Sequence, residues 1–171
     1  MFDEKIYKII KIKNHLDNKK RILERIQKYR YSYDQDDGEG FISNTDWDCE
    51  LKFNWYDFSF SQDDKKYLSE SISGAITRCW FNQYYPLSNS THGFHDHDGS
   101  DLVFIYYLEL EDFNLRTILV NPKDNTQIIP NVIEGDLLCF PSNVLHSSPK
   151  NNTNTRKTII SFNLNFFNDA V

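Results

Sequence analysis

Four of the five histidines lie in the second half of the chain, and three of them, His92, His95 and His97, share the stretch HGFHDH. A neutral imidazole nitrogen binds first-row transition metals, so such a cluster could hold an ion at neutral pH. Side chains alternate along an extended strand, which sends His95 and His97 to one face and leaves a third direction open for a ligand from elsewhere. His146, beyond Phe140-Pro141-Ser142, is the natural distal ligand. His92 stands three residues before His95 and faces the other way on a regular strand, where it would touch substrate or support a ligand; a bulge would rotate it inward. Clustering inside a predicted sheet, with a distant fourth histidine, favours a metal site over a set of surface histidines beside an Asp-rich turn.

The run RKTIISFNLNF begins at Arg156. Alternation puts Arg156, Thr158, Ile160 and Phe162 on one face. If that face lines a barrel interior, Arg156 and Thr158 enter an apolar pocket, and an unpaired buried guanidinium is costly enough to demand an anion there. A dicarboxylate co-substrate would supply it.

The elements that must position these residues are mostly strands. From Ala75 onward, short β-type runs recur at 76–85, 102–108, 117–120, 126–129, 136–140, 144–147 and 157–166. Turn signals separate them, among them Asn121-Pro122, Asp124-Asn125 and Glu134-Gly135. This spacing predicts a jelly roll, sandwich or barrel rather than an alternating α/β sheet. The chain is expected to form a single domain over 1–171, with 75–171 as the β core and 1–74 as a supporting region.

In that region a strand is expected over 2–12, followed by an amphipathic helix capped at Asp17. Its apolar face holds Ile22, Leu23, Ile26 and Tyr29, and its basic face, with Lys19, Lys20, Arg21, Arg25 and Lys28, reads as solvated. Aromatic and acidic residues alternate over 47–60 and suggest a strand. Ser61 with Asp64 forms a capping box for a second helix, which carries Leu68 and Ile72 inward and ends near Gly74. The acidic loop 34–40 departs from the EF-hand pattern, with Gly38 and Glu39 where an oxygen ligand and a glycine belong, and it reads as solvated.

Composition narrows the field. A length of 171 residues suits one domain with its own core, and 13 Phe, 10 Tyr and 3 Trp beside 6 Gly and 5 Pro argue against disordered, collagen-like or disulfide-rich classes. With 19 Lys and Arg against 25 Asp and Glu, the net charge of −6 supplies no general basic field for duplex DNA or an anionic membrane. Neither nucleic acid nor membrane is an expected partner. The three cysteines form no CxxC pair and suit reduced thiols. Charged residues interrupt the start of the chain and no apolar run is long enough to span a bilayer, so the expected compartment is the cytoplasm, or a host cytoplasm for a viral chain.

Taken in order, Tyr85-Pro86, His95, Ile105-Tyr106-Tyr107-Leu108, Leu137-Leu138-Cys139-Phe140-Pro141-Ser142 with His146, and Arg156-Lys157-Thr158 resemble the 2-oxoglutarate- and Fe(II)-dependent oxygenases. The chain is most similar to their prolyl-hydroxylase-like branch and to uncharacterised members from phages and bacteria, over about residues 76 to 166. The resemblance implies a double-stranded β-helix, the jelly roll also seen in cupins, with two supporting N-terminal helices. It implies that His95 and His146 bind Fe(II), that Arg156 pairs with the distal carboxylate of 2-oxoglutarate, and that Thr158 hydrogen-bonds the same group. Tyr85 and Tyr107 stand where that branch has tyrosines lining the co-substrate pocket. The implied reaction uses O₂ to hydroxylate a substrate while 2-oxoglutarate is decarboxylated to succinate and CO₂. The substrate class it suggests first is a peptide or protein side chain, with a small molecule or nucleobase behind it. On this reading Arg156→Ala weakens 2-oxoglutarate binding far more than metal binding.

The sequence departs from the family pattern at one point, with His97 where His-x-Asp is usual. Asp96 and Asp98 point away from the metal on a regular strand, which favours three histidines; a bulge turning Asp98 inward would give His95 or His97 with Asp98 and His146. A three-histidine site leaves more positive charge on the ion. Two other classes use the same residues. A zinc hydrolase suits three histidines with an open position but leaves Arg156 and Thr158 without a task. A non-catalytic cupin-like binding module makes the histidines incidental.

Overall fold

The chain enters through β1 (Lys8–Lys11) and α1 (His15–Ile26), in a computed structural model that describes residues 6–29, 32–34, 40–50 and 53–167. Ile22 and Ile26 are buried, as the helical period predicts. Asn14 rather than Asp17 is the cap residue, and Asp17 falls in the first turn, where its charge favours the positive end of the helix. The basic face is only partly solvated, because Lys19 reaches Glu134 at 2.7 Å. Three short strands follow, β2 (Tyr33–Asp34), β3 (Phe41–Ile42) and β4 (Asn44–Thr45). Most of the acidic loop, 35–39, lies outside the described residues.

The segment 47–60 does not form the expected strand. It turns and then enters α2 (Trp55–Ser59), capped by Asn54, whose Oδ1 accepts the Asp57 N–H at 2.9 Å. Its aromatic residues cluster on one side: Trp55 is fully buried and packs edge-on against Phe53, Phe58 and Phe81. The Trp55 Nε1–H donates to buried Asp46 at 2.5 Å, and Asp46 also accepts the Phe81 N–H at 2.9 Å. Next comes α3 (Gln62–Ser71), opened by the expected Ser61/Asp64 capping box with both hydrogen bonds made. The support therefore has a third, short helix beyond the two expected. Among the described residues no helix is long and apolar enough to cross a membrane.

The remaining strands are β5 (Gly74–Tyr84), β6 (His92–His95), β7 (Leu102–Leu110), β8 (Ile118–Val120), β9 (Gln127–Ile128), β10 (Asp136–Pro141), β11 (His146–Ser148) and β12 (Lys157–Phe166). They build the expected jelly roll. A six-stranded sheet in the order β1-β10-β7-β12-β5-β4 packs against a four-stranded sheet in the order β6-β11-β8-β9, with antiparallel neighbours in both. β1 and β4, from the first third of the chain, form the two edges of the large sheet.

The large sheet is buried on both faces. Phe104, Tyr106, Ile160, Phe162 and Leu164 pack with Ile22, Ile26, Trp55 and Leu68 of the helices. Val103, Ile105, Tyr107, Leu138 and Ile159 pack between the sheets with Leu119 and Val144. Double coverage is why 102–108 reads as an unbroken apolar run. It also decides which side of β12 is inside. Ile160 and Phe162 belong to the helix side, so the set that alternation groups with Arg156 is the outer one, and the inner face carries Lys157, Ile159, Ser161 and Asn163. Against β7 the register shifts between Thr158, opposite Glu109, and Ile159, opposite Tyr107. This bulge carries Glu109 to the side of Arg156 and Thr158.

Candidate metal centre

His95 ends β6, His146 opens β11, and the two are direct cross-strand partners. His97 lies two residues beyond β6, its N–H donating to the Ser142 carbonyl at 3.0 Å. One ring nitrogen from each of the three converges on the others within 4.8 Å. The other contacts of the rings settle which nitrogen is available. Nδ1 of His95 donates to the Gly93 carbonyl at 2.8 Å, that of His97 to Asn163 Oδ1 at 2.6 Å, and that of His146 to the Val144 carbonyl at 3.1 Å. A carbonyl oxygen only accepts, so each Nδ1 holds the proton and each Nε2 offers its lone pair. His146 is 4% exposed. Burial pulls the pKa of His95 down, that of His146 well down and that of His97 to about 4, which keeps the rings neutral and ligand-ready.

The structure thus brings together His95, His97 and His146 and leaves both carboxylates of the loop outside. Asp96 and Asp98 are exposed, and Asp98 accepts the Gly99 N–H at 3.1 Å. His92 departs from the regular-strand expectation: the register of β6 against β11 shifts between the His95–His146 and His92–Ser148 pairs. Its ring lies on that of His95, centroids 3.8 Å apart. Burial, followed by the fields of His95, His97 and Lys157, lowers its pKa to about 3.

Lys157 stands deeper in the same interior. It is fully buried, its Nζ donates to Ser148 Oγ at 2.8 Å, and it lies 5.1 Å from the Tyr84 ring and 6.0 Å from the Tyr107 ring. Among the described residues it has no carboxylate partner, and desolvation lowers its pKa to about 7. Arg156 occupies the opposite face, contrary to expectation. Its side chain is 40% exposed and forks onto Glu109, Nε to Oε2 at 2.8 Å and Nη2 to Oε1 at 2.7 Å, and Thr158 Oγ1 donates to the same carboxylate. The anion that Arg156 requires is already part of the protein.

Of the two expected tyrosines, Tyr85 shows the same one-residue shift and Tyr107 does not. Tyr85 follows the end of β5 and is half-buried, whereas Tyr84 points inward as the cross-strand partner of Lys157. Tyr107 is inside, its hydroxyl donating to Thr117 Oγ1 at 2.7 Å. Burial raises the pKa of both Tyr84 and Tyr107. The polar residues Ser161 and Asn163, at the same parity as Lys157 on an otherwise apolar strand, are the sequence signal that could have identified the inner face.

A cavity of about 280 Å³ opens over the histidines, walled by Trp47, Arg78, Trp80, His92 and Asn163 among others. Trp47 and Trp80 meet edge to face at 4.5 Å, and the Arg78 guanidinium lies 3.2 Å above the Trp47 ring. Sequence reasoning missed Arg78 and Trp80. A larger cavity, about 510 Å³, sits beside α2 and α3 and contains none of the histidines. Converging histidine nitrogens, not volume, mark the smaller cavity as the candidate site.

Solved structures share this architecture. The non-heme alpha ketoglutarate dependent epimerase SnoN from nogalamycin biosynthesis matches with a TM-score of 0.71 at 12% identity, over 94% of this chain and 78% of that one. The fold is that of the 2-oxoglutarate- and Fe(II)-dependent oxygenases. The viral collagen prolyl hydroxylase of Paramecium bursaria Chlorella virus-1 shares this oxygenase fold at a TM-score of 0.61 and 14% identity, over 98% of this chain and 99% of that one. So does a prolyl hydroxylase from Trichoplax adhaerens, at 0.63 and 16%, over 94% and 84%. No family model and no curated protein sequence matches the chain. At these identities the likeness carries the oxygenase fold, and the chemistry rests on the side chains described above.

Proposed function

We propose that this protein is an Fe(II)- and 2-oxoglutarate-dependent oxygenase in which His95, His97 and His146 hold the metal. Lys157 receives the distal carboxylate of 2-oxoglutarate, and a peptide or small-molecule substrate enters through the cavity beside Trp80 and His92. The observation that carries this reading is the convergence of three Nε2 lone pairs in an interior that also contains a buried cation without a carboxylate partner. The donor set fits Fe(II): three neutral imidazoles, each anchored through Nδ1, leave the remaining positions of the ion for a bidentate 2-oxo acid and O₂. When bound, Fe(II) supplies the redox chemistry that couples decarboxylation of 2-oxoglutarate to succinate and CO₂ with hydroxylation of the substrate.

The protein's own residues do the rest. The carbonyls of Gly93 and Val144 and the amide of Asn163 fix the rings in orientation and tautomer. Ser148 aims the Lys157 amine, and an arriving carboxylate returns that amine to its charged form. Val103, Ile105 and Ile159 keep the interior dry. The neighbours support the partner class: the viral prolyl hydroxylase was solved with 2OG, the Trichoplax enzyme with a peptide fragment, and the epimerase with Fe³⁺, alpha ketoglutarate and nogalamycin RO. Three thiols without disulfides suit the cytoplasm, or a host cytoplasm, as its place of action.

Anaerobic titration of the metal-free protein with Fe(II) and then 2-oxoglutarate tests the proposal, followed by visible absorbance. The expected result is a charge-transfer band only when both are present. Lys157→Met should weaken 2-oxoglutarate by about 100-fold or more, since it removes one partner of a buried ion pair. Arg156→Ala should change it by less than about threefold, as expected for a partly exposed pair elsewhere. Absence of the band, with tight Zn²⁺ binding and Zn²⁺-dependent hydrolysis, would overturn the oxygenase reading.

A further inference from the structure

The converging ligand set contains no carboxylate. Among the described residues, the group able to close on one ion is His95, His97 and His146. His97 is fixed in that set from two sides, by Asn163 Oδ1 on its Nδ1 and by the Ser142 carbonyl on its N–H. Neither Asp96 nor Asp98, both exposed, can replace it without breaking those contacts. An ion held by three neutral donors keeps its whole charge, whereas one carboxylate would cancel a unit of it. A unit charge on a ligand a few ångströms from an incoming anion acts on it strongly at that distance. The walls add no buried negative charge. Arg78, 3.2 Å above the Trp47 ring, is a cation at that wall. Asp96 and Asp98 also line the cavity but are exposed, and the field of Asp96 reaches His95 and His97, so the comparison that isolates the ligand charge is between variants at position 97.

The geometry points to His97 as the residue that makes this centre a binding site for a small monoanion at the metal. The ligand class is a compact, singly charged donor such as azide or a halide, reaching the ion through the 280 Å³ cavity. The inference rests on the metal site proposed above and deepens it. At such a centre His97 sets the charge, and Asn163 holds His97 in place.

The test uses the full chain loaded with Co(II), whose visible bands report ligand changes without turnover. Stoichiometry is measured first, and azide is titrated second. Wild type should bind azide at least about tenfold more tightly than His97→Asp, while neutral His97→Gln should stay within about threefold of wild type. Equal azide affinity in wild type and His97→Asp would overturn the proposal, as would an equal loss in His97→Gln and His97→Asp. If circular dichroism shows that His97→Asp does not fold, His95→Asp places the same charge at another ligand position, and the same comparison decides. Failure of wild type to bind one equivalent of Co(II) would overturn the metal reading itself, before any azide is added.

Discussion

Lys157 and Arg156 are adjacent cations with opposite fates. Arg156 is satisfied by Glu109, and Lys157 meets one hydroxyl and two aromatic rings. The consequence for pH follows from the sign of the shift. The Lys157 pKa is about 7 in the fold against roughly 10.4 in an unfolded chain, so between those values the unfolded state binds more protons. The metal-free protein should therefore gain stability as pH rises from 7 to 10. Thermal melts across that range should show the rise in wild type and its loss in Lys157→Met. Binding 2-oxoglutarate above pH 7 should take up a proton, measurable by calorimetry in buffers of different ionisation enthalpy. The convergence of His95, His97 and His146 was legible from spacing, whereas the inner face of the sheet carries Lys157 and Tyr84, each one residue away from the expected Arg156 and Tyr85. Period-2 alternation sorts residues into faces without saying which face is inside, and a sheet covered on both sides removes the usual polar marker.

Elements with a strong local signature were legible. The capping box opened α3 as expected, and Ser61→Ala should cost about 1 kcal/mol in denaturant unfolding. Long strands such as β7 and β12 followed from apolar runs between turn signals. The helix α2 did not, because five residues are too few to display a helical period and its aromatics mimic alternation. The cap at Asn54 and the buried pair Asp46–Trp55 hold it instead. Asp46→Ala leaves the Trp55 Nε1–H and the Phe81 N–H buried without partners and should destabilise the protein by about 2–4 kcal/mol by chemical denaturation. Bulges were legible only as a possibility. One brings His92 onto His95 and another brings Glu109 to Arg156, and a single inserted residue leaves no mark in composition.

At the scale of the whole molecule, the strand spacing was enough to predict the jelly roll, while the recruitment of β1 and β4 to the edges of the large sheet depends on tertiary packing. The proposed ligand sites draw on both sheets. His95 and His146 belong to the small sheet, Lys157 and the Asn163 that holds His97 to the large one. A metal present at about 100 times its dissociation constant should add roughly 2.7 kcal/mol of stability, read as a higher melting temperature. The two sheets differ in strength. β12 and β5 run for 10 and 11 residues, whereas β6, β11, β8 and β9 have 4, 3, 3 and 2. Short strands with few ladder bonds open locally long before the whole domain unfolds. Deuterium uptake in the metal-free protein should therefore be fast at the amides of β6 and β11 and slow along β12, and metal should protect the former selectively. The sheet expected to open most readily thus carries two of the three converging histidines, so an ion held there should exchange faster whenever that weaker wall breathes, beyond what the open cavity alone allows.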